Sequence, residues 1–218
     1  MIETFDLPIA IIILPQFASS AAIAVLTKGE FAIEKAIFFE TILLDVPLTV
    51  ILINLEAPSP SLTICKAKSL NILIDNATGQ LIARQDADDY SSKDRLSIQV
   101  AFLREHNLDA CTSRSKVIGS GKARPGLSFY LPIKLTMRYK NPFIHGTLLI
   151  KKDALIEIEK YDENFYYAQD YKLFKDLIDK GYKVNSLNKF LYFLNTEDNI
   201  SSIMKKEQNF YAKLVRNS

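Results

Sequence analysis

Cysteine is scarce in this chain. Cys65 and Cys111 are the only two, far apart and without the CxxC spacing of a metal or redox motif. That excludes a disulfide framework and a zinc site, and it makes a reduced, cytoplasmic setting the expectation. Net charge is nearly absent as well, at +2 with histidine neutral. Nucleic-acid binding calls for a strongly basic face, so no nucleic-acid partner is expected. Peripheral attachment to an anionic membrane, such as the inner face of the plasma membrane, stays open. Internal repeats and low-complexity tracts are missing too. So is a clean membrane-spanning run. Residues 8–26 come nearest, but Pro15 and Gln16 interrupt them, and Glu3 and Asp6 stand where a signal peptide would be basic. A buried strand over residues 9–14, a turn and an Ala-rich helix explain the same letters; a membrane span is the competing reading.

What is present is a globular composition. Hydrophobic residues make up 48% and charged residues 24% of 218, enough for one domain with a real core. Short apolar runs at residues 9–14, 48–55, 81–83 and 143–150 read as buried strands. Residues 31–44 have helical spacing. Strands alternating with helices predict an α/β domain with a mostly parallel central sheet and flanking helices. Ser91 or Ser92 is placed to cap a helix, with Asp94 in its first turn and Leu96, Val100 and Leu103 as its apolar stripe. Residues 109–118 predict a strand and 152–158 a short helix. A helix over 169–180 carries Leu173, Leu177 and Ile178 on one side and stops at Gly181. A late strand over 189–194 and a basic helix over 204–216 complete the pattern.

The chemistry concentrates at Asp86, Asp88 and Asp89, directly after the strand at 81–83. In open α/β sheets ligands bind beyond the carboxyl ends of strands. Carboxylates crowded there repel one another unless a cation compensates. Their hard oxygens suit Mg²⁺ or Mn²⁺, which bind one or two carboxylates together with substrate phosphates. Positions i and i+2 of an extended segment share a side, so Asp86 and Asp88 can address one nucleotide diphosphate and its metal. The alternative is a solvated acidic turn that caps the next helix.

The run Asn76–Ala77–Thr78–Gly79–Gln80–Leu81–Ile82–Ala83–Arg84–Gln85–Asp86–Ala87–Asp88–Asp89, followed by Arg95–Leu96 and by Gln99 with Leu103, resembles family 2 glycosyltransferases. A second block also resembles that family. It comprises His145, Thr147 to Ile150, Lys151–Lys152–Asp153–Ala154–Leu155, Tyr161–Asp162–Glu163 and Tyr167–Ala168–Gln169–Asp170–Tyr171–Lys172–Leu173. The likeness spans residues 68–202. It implies a GT-A (nucleotide-diphospho-sugar transferase) fold in a single domain, with residues 1–90 as the nucleotide-sugar half and 91–218 as the acceptor half. It implies inverting transfer from a UDP- or dTDP-sugar to a glycan or lipid-linked acceptor, in cell-surface polysaccharide assembly, with Mg²⁺ or Mn²⁺ as cofactor. Asp86 would then face the nucleotide ribose, Asp88 the metal, and Asp170 would be the general base.

The residues themselves leave other readings open. Asp170 also suits a plain helix start. Arg84 has three candidate partners: phosphate, the acidic cluster, or solvent. His145 is either a site residue or a hydrogen-bonded structural one. Gln169 stands where the family commonly has Glu, and Thr196 where many members have His. Glu56 is the only acid where the family carries the acidic run that holds the nucleotide base. Either the base pocket uses unusual residues, or the enzyme is weak or inactive and serves as a nucleotide- or partner-binding module, or residues 10–65 derive from a disrupted reading frame.

Overall fold

The computed structural model describes residues 23–26, 35–43, 46–54, 66–86, 88–195 and 204–218, with side chains from Ala67 onward. In chain order the described strands are β1 (Ile23–Leu26), β2 (Lys35–Leu43), β3 (Val46–Asn54), β4 (Leu81–Asp86), β5 (Tyr90–Ser91), β6 (Ala110–Val117), β7 (Ala123–Arg124), β8 (Leu149–Lys151) and β9 (Val184–Leu194). The α-helices are α1 (Lys66–Asn76), α2 (Arg95–Glu105), α3 (Ile133–Met137), α4 (Lys152–Glu157), α5 (Gln169–Asp179) and α6 (Lys205–Asn217). The strands join in one sheet of order β1-β2-β3-β4-β8-β6-β9-β5, with β7 paired to β6.

The α/β class is as expected, but the sheet is mixed rather than mostly parallel. Only β3–β4 and β6–β9 pair in parallel among the described strands; β8 enters antiparallel between β4 and β6. A strand buried on both faces is an apolar run in either direction, so the run carries no direction. Residues 35–43 form β2, not a helix, and pair antiparallel with β3 from Lys35↔Asn54 to Leu43↔Val46. Ile37, Phe38, Phe39, Thr41 and Ile42 are the β-branched and aromatic types that strands favour, and this outweighs the helical spacing. Of the strand expected over 143–150, only β8 is extended; His145–Thr147 is a 3₁₀ turn. Thr147 Oγ1 makes that turn by donating to the Ile144 carbonyl at 2.8 Å and accepting from the Ser113 N–H at 3.0 Å. Neither serine caps α2. Its N-cap is Asp94, without a side-chain cap bond, and the Ser91 hydroxyl donates to Gln85 instead. The expected strand at 9–14 lies outside the described residues.

The helices cover both faces. Leu81, Ala83, Cys111 and Leu149 point to α2, where Leu96, Val100 and Leu103 meet them. The alternate positions Ile82, Ala110 and Ile150 point the other way, into a larger core with α1, α4, α5 and α6. This period of two along β4, β6 and β8 sets the sheet between two helical layers. There Phe143 packs on Phe174 at 4.4 Å. Gly181 closes α5 at φ +88°, a left-handed value that glycine takes without strain. No helix among the described residues is long and apolar enough to cross a membrane.

Candidate active site

β4 carries the site's first elements. Arg84 and Asp86, two positions apart on one strand, share a side. The guanidinium clamps the carboxylate with two bonds, Nη1 to Oδ2 at 2.8 Å and Nη2 to Oδ1 at 2.6 Å. Of the three partners open to Arg84, the acidic cluster is the one found. Burial is the largest single effect and works against the guanidinium charge, but Asp86 together with Tyr161 and Tyr192 outweighs it and holds the pKa above its ordinary value. A cavity of about 10 Å³ lies against Arg84, among Ile82, Leu148, Tyr161 and their neighbours, no more room than a single water requires.

After Asp86 the chain turns. Gln85 pins the turn, its Nε2 donating to the Asp86 carbonyl at 2.8 Å and the Asp89 carbonyl at 3.0 Å. Asp88 is exposed. Asp89 accepts the Asn195 N–H at 2.7 Å. Burial, aided by the charges of Asp86 and Asp88, pushes the Asp89 carboxyl up to about 7. The strand end thus holds one carboxylate neutralised by Arg84, one exposed, and one reluctant to ionise.

Behind this turn lies a support that the sequence reading did not identify. Arg95, 2% exposed, donates to the Gly146 carbonyl at 3.3 Å and the Arg84 carbonyl at 3.1 Å. Tyr192 of β9 reaches the same point: its hydroxyl accepts the Asp86 N–H at 3.1 Å. Gly146 makes the close approach possible. A Cβ there would stand 2.5 Å from the Tyr192 hydroxyl and 2.9 Å from Asp86 Oδ2. A Gly146→Ala substitution therefore has to displace groups that are already tied down. The expected destabilisation is about 1–3 kcal/mol. A thermal melt measures it, and an unchanged melting temperature would contradict this role. A glycine beside the candidate His145 was the one local signal for it.

The second block converges on the same strand end. His145 Nε2 lies 2.7 Å from the Tyr161 hydroxyl, the structural bond that was one of its two readings. Burial raises the Tyr161 phenol; Arg84 opposes this, while Asp170 and Asp86 add to it. Asp170 stands in the first turn of α5, behind Ala168 in the left-handed region at φ 55°. Asn141 Nδ2 donates to its Oδ2 at 2.8 Å. Burial raises the Asp170 carboxyl above the usual carboxylate value, while the Tyr171 N–H, Asn141 and the Arg84 charge hold it down. Arg84 is thus within electrostatic reach of both Asp86 and Asp170. Gln169 is partly buried at the first position of α5; consecutive helical residues point about 100° apart, so it does not share Asp170's face. Glu56 and Thr196 lie outside the described residues.

No three His, Cys, Asp or Glu side chains among the described residues are grouped so as to hold a metal by themselves. An exposed carboxylate at Asp88 suits a hard cation whose other ligands come from a diphosphate.

A family model, glycosyl transferase family 2, matches residues 65–179, more than half of the chain. "Putative glycosyltransferase EpsE" of Bacillus subtilis is 30% identical over 130 residues, 58% of this chain and 47% of the relative. "Amylovoran biosynthesis glycosyltransferase AmsE" of Erwinia amylovora is 27% identical over 125 residues, 55% of this chain and 46% of the relative. The chain spans about half the length of these curated relatives. Among solved structures, the mannosyltransferase PcManGT from Pyrobaculum calidifontis, in complex with GDP-Man and Mn²⁺, superposes with a TM-score of 0.51 at 19% identity, over 70% of this chain and 44% of that one. At that identity the likeness concerns the fold.

Proposed function

The chain belongs to glycosyl transferase family 2 and has the GT-A fold, and from that premise we propose that it transfers a sugar from a nucleotide diphosphate to an acceptor hydroxyl with inversion. The observation that carries this reading is the Asp170 carboxyl, held by Asn141 at 2.8 Å and raised by burial, in the field of the Arg84–Asp86 pair. A raised carboxylate is a better proton acceptor than one in water. Asp170 takes the acceptor's proton as the acceptor oxygen bonds to the anomeric carbon. The bond from that carbon to the diphosphate oxygen breaks, and its electron pair leaves with the nucleotide. Attack from the face opposite the leaving group inverts the centre. In this reading Asp86, fixed by Arg84, is the group that meets the ribose hydroxyls.

Asp88 would hold Mg²⁺ or Mn²⁺ together with the diphosphate, and the cation would neutralise the leaving charge. Support for this comes from the three carboxylates at this strand end, where burial and then the charges of Asp86 and Asp88 raise Asp89, and from the Mn²⁺ beside GDP-Man in the mannosyltransferase. The acceptor class, a glycan or lipid-linked glycan of cell-surface polysaccharide assembly, follows the relative named for amylovoran biosynthesis.

Turnover of nucleotide sugars, assayed by nucleotide release with and without Mn²⁺, tests the reading. Asp88→Ala is expected to lose on the order of a hundredfold, several kcal/mol of charge stabilisation, and to lose its response to added Mn²⁺. An Asp88→Ala variant with unchanged turnover and metal response would remove Asp88 from the site. Nucleotide binding without turnover in the parent chain would instead favour a binding module.

A further inference from the structure

Between Asp109 and Asp153 the chain has nine lysines and arginines and no acidic residue, although its formal charge is only +2. The middle of this stretch, residues 122–140, pairs with β6 through β7 and then runs outside the sheet as far as Asn141. Beyond β7 two anchors hold it. Arg114 is the first, its guanidinium 4.4 Å from the Phe190 ring centre and 4.8 Å from that of Phe129, donating to Asn188 Oδ1 at 3.0 Å and the Tyr130 hydroxyl at 3.2 Å. The second is α3, where Thr136 and Met137 are buried and Ile133 packs against the core.

Many of the remaining side chains face out. Leu127 is 88% exposed, Tyr139 69% and Tyr130 66%, and Leu131 and Leu135 are exposed as well. Among them stand Lys122, Arg124, Lys134, Arg138 and Lys140, all exposed. Arg216 of α6 donates to the Tyr139 carbonyl at 3.1 Å, so a second basic element adjoins this surface.

We propose that residues 122–140 dock this protein onto an anionic lipid bilayer. A soluble polyanion would satisfy the cations but leave Leu127, Leu131 and Leu135 in water. A bilayer interface takes both, with apolar side chains at the acyl boundary and basic groups among the headgroups; tyrosines are enriched at that depth. The segment also ends on Asn141, which holds Asp170. On the proposed transferase reading, docking sets the acceptor end of the site at the lipid surface, where a lipid-linked acceptor is presented.

Sedimentation of the full chain with phosphatidylcholine vesicles, with and without phosphatidylglycerol, tests this without any sugar nucleotide, so it stands apart from the transferase assay. Binding is expected only with phosphatidylglycerol and is expected to fall as salt rises. Each basic group near an anionic surface is worth roughly a fivefold change in partitioning. Lys134→Ala/Arg138→Ala/Lys140→Ala should therefore bind on the order of a hundredfold more weakly. Leu127→Glu/Leu131→Glu should also release the protein, and Lys93→Ala, elsewhere on the surface, should not. Equal binding to both vesicle types overturns the proposal. So does a triple variant that binds like the parent. So does a Leu127→Glu/Leu131→Glu variant that still binds while soluble polyphosphate competes, which would identify a polyanion as the partner.

Discussion

Asp170→Asn is expected to abolish sugar transfer while making the fold more stable. The rate effect follows from the loss of a positioned base, typically a hundred- to ten-thousand-fold. The stability effect follows from the same burial. Asp170's folded pKa lies above its unfolded value because burial penalises the charged form. The folded state therefore binds this proton more tightly than the unfolded chain does. The stability that goes with it is complete below the unfolded pKa and is lost as pH rises through the folded one. Once pH has risen through the folded pKa, the parent chain carries the full penalty. An asparagine has none, and its amide oxygen can still accept from Asn141. Melts across pH should show the variant gaining on the parent as pH rises through the folded pKa of Asp170, and the two should converge in acid. A stability difference that does not grow with pH would mean that the charge is compensated and that Asp170 is a structural helix-start residue.

Arg84→Met is the second large perturbation. The guanidinium is 11% exposed and the Asp86 carboxylate 30%. Breaking a fully buried pair from one side costs about 3–5 kcal/mol; Asp86's residual contact with water reduces this to about 2–3 kcal/mol here. The cost comes from leaving Asp86 without its cation beside Asp88 and Asp89. Arg84→Met/Asp86→Asn should therefore recover at least half of the loss in urea melts, a coupling that independent sites would not show. The single variant should also alter catalysis. Arg84's charge holds the Asp170 carboxyl down, so its removal moves the acid limb of the rate profile to higher pH. Additive stabilities and an unmoved limb would separate the β4 pair from Asp170.

The parts of this site that the sequence disclosed are those set by local spacing. Arg84, Asp86 and Asp88 stand at a strand end, and Asp170 stands at the start of a helix whose apolar stripe and terminal Gly181 are plain. α2, β6 and α6 were legible for the same reason. β2 was not, because residues 31–44 have a helical spacing, broken only partly by Glu34, Lys35 and Glu40, that the pairing with β3 overrides. The direction of β8 was equally hidden in an apolar run.

The support of the site was out of reach for a different reason. Arg95 meets Gly146 across 51 positions, and Tyr192 meets Asp86 across 106. Nothing local marks Tyr192 as more than a strand residue. Asn141 reads as a loop residue before a proline, yet it holds Asp170. Resemblance could supply the candidate carboxylates, because motifs record them in order. It could not supply the buried groups that fix their charge, since those depend on which elements the fold brings together.

The most direct test of the account is the pH dependence of donor turnover with Mn²⁺, measured for the parent chain and for Asp170→Asn. The account predicts turnover that rises with pH through an apparent pKa above the ordinary carboxylate range, and the loss of both the rate and this limb in Asp170→Asn. A parent chain that turns over no nucleotide sugar, or an acid limb that survives in Asp170→Asn, would contradict it.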